Sequence, residues 1–201
     1  MESEARLEAM RAIRDEVIHL TTSPLYTDRT ANHCYPVIGE GSHDADIMFI
    51  GEAPGKNEAT TGRPFCGAAG KILDELLASI EISRESVYIT NIVKDRPPGN
   101  RDPFPDEIKL YAPFLDRQSD IIKPKVLATL GRFSMEYIMR KFGLEFDLVP
   151  IGQGHGKTYE AETSYGSVVI VPLYHPAAAI YNQNLKETLL EDFKVLKGVI
   201  K

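Results

Sequence analysis

The stretch Asp46-Ile47-Met48-Phe49-Ile50-Gly51-Glu52-Ala53-Pro54-Gly55 runs from an uninterrupted apolar segment straight into a carboxylate and a turn. A short apolar run bounded by turn residues reads as a strand buried on both faces, as in a parallel sheet. Two further runs end alike. Tyr88-Ile89-Thr90-Asn91 delivers an Asn, and the β-rich segment 167–173 delivers Tyr174-His175-Pro176. Ligands of open parallel α/β sheets bind outside the carboxyl ends of the strands. A Glu, an Asn and a His placed there are expected to converge on one pocket.

Around these strands the pattern alternates. Leu7, Met10, Ile13, Val17 and Leu20 recur at spacings of three and four, which predicts a helix that Thr21-Thr22-Ser23-Pro24 ends. A polar stretch leads to the first strand, and a Gly-rich segment follows it. Helices are expected over 70–80, over 105–122 behind Pro105-Asp106-Glu107, from Gly131 to about 142, and over 185–200; further strands are expected over 87–91 and 125–130. Strands alternating with helices argue for a three-layer α/β/α fold with a central, mainly parallel sheet. No repeat or linker divides it, so residues 1–201 are read as one domain. The composition, 43% hydrophobic and 26% charged, is that of a soluble protein, and no apolar run is long enough to span a bilayer. The acidic start Met1-Glu2-Ser3-Glu4 is unlike a secretory leader, which gives the expectation of a cytoplasmic protein. Cys34 and Cys66 are not spaced as a metal pair and are expected to be reduced. A net charge of −6 means that any nucleic-acid contact needs a local patch of Lys and Arg.

Gly51-Glu52-Ala53-Pro54-Gly55, Gly62-Arg63-Pro64-Phe65, Ile89-Thr90-Asn91-Ile92-Val93-Lys94, Arg96-Pro97-Pro98-Gly99-Asn100-Arg101 and Tyr174-His175-Pro176-Ala177 stand in register along the chain. In order and approximate spacing they resemble the uracil-DNA glycosylase superfamily, specifically its family 4. The resemblance spans nearly the whole chain. It implies a monomeric enzyme that flips uracil out of DNA and hydrolyses its N-glycosidic bond. It also implies a [4Fe–4S] cluster on four cysteines, yet Leu20, Ser23, Asp95 and Tyr111 stand at the matching positions. Such clusters are held by thiolates, so the cluster is expected to be absent and no metal is expected in the chemistry.

The residue types suit that chemistry. A flipped base is read by stacking and by hydrogen bonds to its edge. Phe65 is the candidate stacking ring. The Asn91 carboxamide, with one acceptor and one NH₂ donor, complements uracil O4 and N3–H and mismatches cytosine. Cleavage leaves negative charge on the base and positive charge on the sugar. His175 is the candidate donor to uracil O2. Glu52 is the first choice for the carboxylate that steadies the sugar cation and orients water, with Glu58 as the second. Backbone N–H groups near Ala53 complete the base contacts. No lysine is placed to form a Schiff base, so strand cleavage is not expected.

For DNA, the glycines opening helices, Gly131 and the pair Gly67 and Gly70, offer N–H groups to phosphates. Ile180 or Tyr181, in a segment similar to the superfamily's minor-groove loop, is the candidate wedge. Arg96, Arg101, Arg132 and Lys186 are candidate phosphate partners. Each residue alone has a plainer reading: Asn91 as a strand-ending turn former, Phe65 as core, the glycines as tight turns, the cations as solvated surface. His19, His33, His43 and His155 are read as structural or solvated. Two rival functions are a non-catalytic uracil-DNA binding protein of the same fold and a nucleotide hydrolase. The second is weakened because Gly55 and Lys71 do not complete a P-loop.

Overall fold

In the computed structural model, which describes residues 2–180 and 182–200, the elements in chain order begin with α1 (Glu2–Ile18), α2 (Pro24–Ala31), β1 (Glu40–Gly41) and β2 (Ile47–Gly51). They continue with α3 (Lys56–Thr61), α4 (Ala68–Ser79), β3 (Tyr88–Asn91), α5 (Pro105–Ile122), β4 (Val126–Leu130) and α6 (Arg132–Lys141). The last are α7 (Ile151–Gly154), β5 (Tyr159–Thr163), β6 (Gly166–Leu173) and α8 (Gln183–Val199). The strands form one sheet in the order β1-β3-β2-β4-β6-β5. Its centre is parallel, and β1 and β5 add antiparallel edges.

Side-chain alternation along the strands separates two cores. Met48, Ile50, Tyr88, Leu127 and Ile170 face α1, α2, α5 and α6. Ile47, Phe49, Ile89, Val126, Ala128 and Val171 face α4 and α8, where Leu73, Leu76, Phe193 and Leu196 close the layer. Every residue of β2 and β4 is buried, as a central parallel strand with helices on both faces requires. The three-layer expectation holds. Because β2, β3, β4 and β6 run parallel, their carboxyl ends share one edge of the sheet.

The structure adds elements that periodicity passed over. Residues 24–31, read as a polar stretch, form α2: Ser23 caps it by accepting from the Leu25 N–H at 3.1 Å, and Pro24 opens it. The Gly-rich segment contains the short α3, ended by Gly62 at φ 74°. The edge strands were missed because β1 is only two residues long and β5 alternates weakly.

The first helices are tied to the sheet by a buried polar knot. One guanidinium nitrogen of Arg29 lies 3.0 Å from both carboxylate oxygens of Asp95, and the group also donates to the Val17 and Ile18 carbonyls that end α1. The Tyr111 hydroxyl of α5 lies 2.6 Å from the same carboxylate and 2.7 Å from Ser23 Oγ. Arg29 and Asp95 are 6% and 1% exposed, so removing one partner strands the other's charge without solvent. Asp95→Ala is therefore expected to lower unfolding free energy by about 3–5 kcal/mol, read from urea unfolding midpoints. A loss below about 1 kcal/mol would show that this pair is not what holds α1 and α2.

Candidate active site

At the shared strand edge lies a cleft of about 540 Å³, lined by Glu52, Ala53, Glu58, Phe65, Asn91 and His175 among others. The sequence-predicted catalytic and base-reading residues are thus brought together. The tightest contact is at Gly51. A Cβ there would meet Asn91 Oδ1 at 2.2 Å and the Phe65 ring at 3.0 Å, so only glycine lets the carboxamide and the ring meet over the end of β2. Phe65 is held in turn by Gly70, where a Cβ would sit 1.8 Å from the Phe65 carbonyl oxygen. Its backbone is left-handed at φ 47°, a strained state for an aromatic residue that the surrounding packing imposes. The role first read for Gly70, a phosphate-binding helix end, is corrected: it is a buried residue of α4 required by close packing.

Asn91 ends β3 and is 2% exposed, yet its carboxamide has no hydrogen-bond partner among the described residues. Its polar atoms open on the cleft, where a ligand can meet them. The His175 ring stacks on Phe65 with centroids 5.6 Å apart. Its Nδ1 accepts from the Ala177 N–H at 3.1 Å, which places the proton of the neutral ring on Nε2. Burial pushes its pKa down to about 4, against a small upward pull from the Glu58 carboxylate. The imidazole is therefore neutral at physiological pH and presents an N–H donor.

The two carboxylates differ. Glu58 Oε1 accepts from the N–H groups of Cys66 and Gly67 at 3.2 and 3.3 Å, so it is fixed to the backbone that begins α4. The carboxylate of Glu52 has no hydrogen bond among the described residues, and burial together with nearby Asp102 raises its pKa to about 7, opposed by Arg132. A group poised near neutrality suits proton handling and water activation.

The DNA-facing candidates are less uniform. The Gly131 N–H donates to the Leu173 carbonyl at 2.8 Å, so that amide is not open to a phosphate and only the next amides of α6 remain as free donors. Gly131, at φ 100°, instead brings the backbone against His175: a Cβ there would lie 3.2 Å from the His175 Cβ. Arg132 is exposed beside it. Arg101 lines the cleft but is forked onto Glu107 at 2.8 and 2.6 Å and stacked over Phe104. Arg96 holds Asn100 at 2.6 Å, and Lys186 pairs with Glu75 at 2.5 Å. Ile180 is 38% exposed, and Tyr181 lies outside the described residues. Sequence reasoning missed Lys56, Asn57 and Asp102 on the cleft wall, although the last directly follows one of the quoted motifs.

The positions where the resemblance implies cluster ligands do not fit one. Ser23, Asp95 and Tyr111 are committed to each other and to Arg29, and Leu20 packs against the apolar core. Cys34 and Cys66 are free thiols elsewhere.

The parallel-sheet cleft thus brings together a free carboxamide, a neutral imidazole and a carboxyl poised near neutrality. The family model of the uracil DNA glycosylase superfamily matches residues 38–194. The chain is 47% identical to a type-4 uracil-DNA glycosylase of Sulfurisphaera tokodaii, over 95% of this chain and 84% of that protein. It is 44% identical to one of Archaeoglobus fulgidus over 94% and 92%, and 37% identical to one of Thermotoga maritima over 98% and 97%. The chain belongs to the uracil-DNA glycosylase superfamily.

The electrostatics are directly measurable. In carboxyl and imidazole NMR titrations Glu52 is expected to titrate near pH 7, while His175 stays neutral to about pH 4 with its proton on Nε2. The two act oppositely on stability. The Glu52 contribution is full below 4.5 and lost as pH rises through about 7, while that of His175 is full above 6.5 and lost as pH falls through about 4. A His175 midpoint at 6 or above would contradict the buried neutral ring.

Proposed function

We infer that this protein is a monofunctional uracil-DNA glycosylase of DNA repair, which hydrolyses the N-glycosidic bond and leaves uracil and an abasic site. The observation that carries the reading is the unpartnered carboxamide of Asn91, which opens on the strand-end cleft beside a neutral His175. The relatives reported above, all type-4 uracil-DNA glycosylases, support it over most of the chain.

Flipped uracil docks with its ring against Phe65. Asn91 donates to O4 and accepts from N3–H, and backbone N–H groups near Ala53 add contacts. As the glycosidic bond lengthens, charge moves onto the base, and the Nε2–H of His175 donates to O2. A neutral donor suits this step, because it hydrogen-bonds the oxyanion without giving up its proton. The ionised Glu52 carboxylate faces the sugar cation and orients the water that attacks the anomeric carbon. Glu58, held by the Cys66 and Gly67 amides, fixes the wall of the cleft and is the second choice for the water-positioning role. Arg132, the amides after Gly131, Ile180 or Tyr181, Arg101 and Lys186 form the proposed DNA-gripping rim. We take the working unit to be a monomer acting on DNA, and we place it in the cytoplasm. No helix among the described residues is long and apolar enough to cross a membrane.

The fold is read as working without an iron-sulfur cluster, on donor chemistry: a hydroxyl, a carboxylate, a phenol and an aliphatic side chain stand where thiolates are required. The polar knot of Arg29, Asp95, Tyr111 and Ser23 takes over the bracing. Purified protein is expected to be colourless and iron-free, and chelators are expected to leave activity unchanged. Stoichiometric iron with visible charge-transfer absorption would refute this.

Single-turnover release of uracil from an oligonucleotide tests the roles. His175→Ala is expected to slow it by roughly two to three decades, with DNA affinity little changed. Glu52→Gln is expected to lower the rate and to remove a rise in activity with pH centred near 7. If Glu52→Gln matches the native protein while Glu58→Gln is inactive, the water-positioning role passes to Glu58.

A further inference from the structure

Directly behind Asn91 is a group that the mechanism leaves unused. Lys94 is wholly buried. Its Nζ lies 2.7 Å from the backbone carbonyl oxygen of Asn91, 2.8 Å from Thr90 Oγ1 and 2.6 Å from Gln118 Oε1. All three of these atoms act as acceptors. The Thr90 hydroxyl donates to the Ile38 carbonyl at 2.7 Å, and the Gln118 NH₂ group donates to Ile38 O and Tyr88 Oη at 2.9 and 3.1 Å. With the Thr90 hydroxyl turned to Ile38 O, the three acceptors match the three hydrogens of an ammonium. No carboxylate forms an ion pair with it among the described residues; the charge that favours its protonated form is that of Asp116, itself paired with Lys141.

Charge buried without a counterion is costly, and a buried lysine that served packing alone would be replaced by methionine at little loss. What distinguishes this site is its address. The ammonium grips the main chain of the residue whose carboxamide faces the base, at the strand end where the departing uracil becomes an anion. Its hydrogen bond fixes the Asn91 peptide, and its field favours negative charge on whatever docks there.

We propose that Lys94 is a positioning residue for glycosidic cleavage: its buried ammonium locks the Asn91 main chain and supplies the positive charge that favours uracil leaving as an anion. This rests on the reading of Asn91 as the base-reading group. Burial holds the Lys94 pKa well below the ordinary lysine range, so the effect is lost at alkaline pH before an exposed lysine would titrate.

The test uses two leaving groups of different acidity in the same oligonucleotide, uracil and 5-fluorouracil, whose fluorine already stabilises the anion. Lys94→Met keeps the apolar stem and removes the charge. Its single-turnover rate is expected to fall about 100-fold for uracil and no more than about tenfold for 5-fluorouracil, with DNA affinity within about threefold of the native protein. Should Lys94→Met not fold, Thr90→Val, which removes one acceptor and leaves the ammonium in place, is expected to show the same preference on a smaller scale, about tenfold against threefold or less. Equal losses on both bases, or native rates, overturn the proposal. Asn91→Ala measured in parallel separates the two readings. If it retains native uracil release, the base-reading assignment itself fails; if it is impaired while the lysine variants show no leaving-group preference, only the role of Lys94 falls.

Discussion

The site depends on a missing side chain. With no Cβ at Gly51, the Asn91 carboxamide and the Phe65 ring close over the end of β2, and the smallest substituent there would collide with both. This approach lets the Asn91 amide and the Phe65 ring lie close at the cleft, with the ring centroid 5.6 Å from that of His175. Gly70 continues the constraint by admitting the Phe65 carbonyl into α4, and Gly131 does the same for His175. Three glycines from different segments thus hold the cleft to one geometry. They act through close packing more than through helix-end charge.

On that scaffold, burial selects protonation states. The same loss of water lowers the imidazole pKa and raises that of the Glu52 carboxyl, giving a neutral donor on one side and a carboxyl near its midpoint on the other. Separating two groups by environment is how one pocket supplies both a hydrogen-bond donor and a carboxylate. Away from the cleft, polar burial performs a mechanical task. The Asp95 carboxylate joins α1, α2 and α5 to the root of the segment that carries Pro97, Asn100, Arg101 and Asp102 to the cleft wall.

Much of this was legible in the sequence for a physical reason. Doubly buried parallel strands write continuous apolar runs, and the residue after each run must lie at the ligand-bearing edge, so Glu52, Asn91 and His175 could be placed before any coordinates. The converging Phe65 came from the family resemblance alone, since an isolated Phe reads as core. Other features leave no local trace. The edge strands are too short or too weakly patterned, and α2 was hidden because its Ser23-Pro24 start also ends the preceding pattern. Partners distant in sequence are the other blind spot: that Arg29 meets Asp95, that Glu107 takes up Arg101, and that the Gly131 amide belongs to Leu173 depend on packing across the fold.

The claim at the centre is that the Asn91 carboxamide, unpartnered and open to the cleft, tells uracil from cytosine by its donor and acceptor. Asn91→Asp keeps the shape and replaces the NH₂ donor by an oxygen, which accepts when ionised and donates only when protonated. The direct measurement is single-turnover release of uracil and of cytosine from matched oligonucleotides by this variant, across pH. The account predicts uracil release reduced by roughly two decades or more at neutral pH, with cytosine release emerging as pH falls. Uracil release at the native rate, with cytosine untouched at every pH, would contradict it.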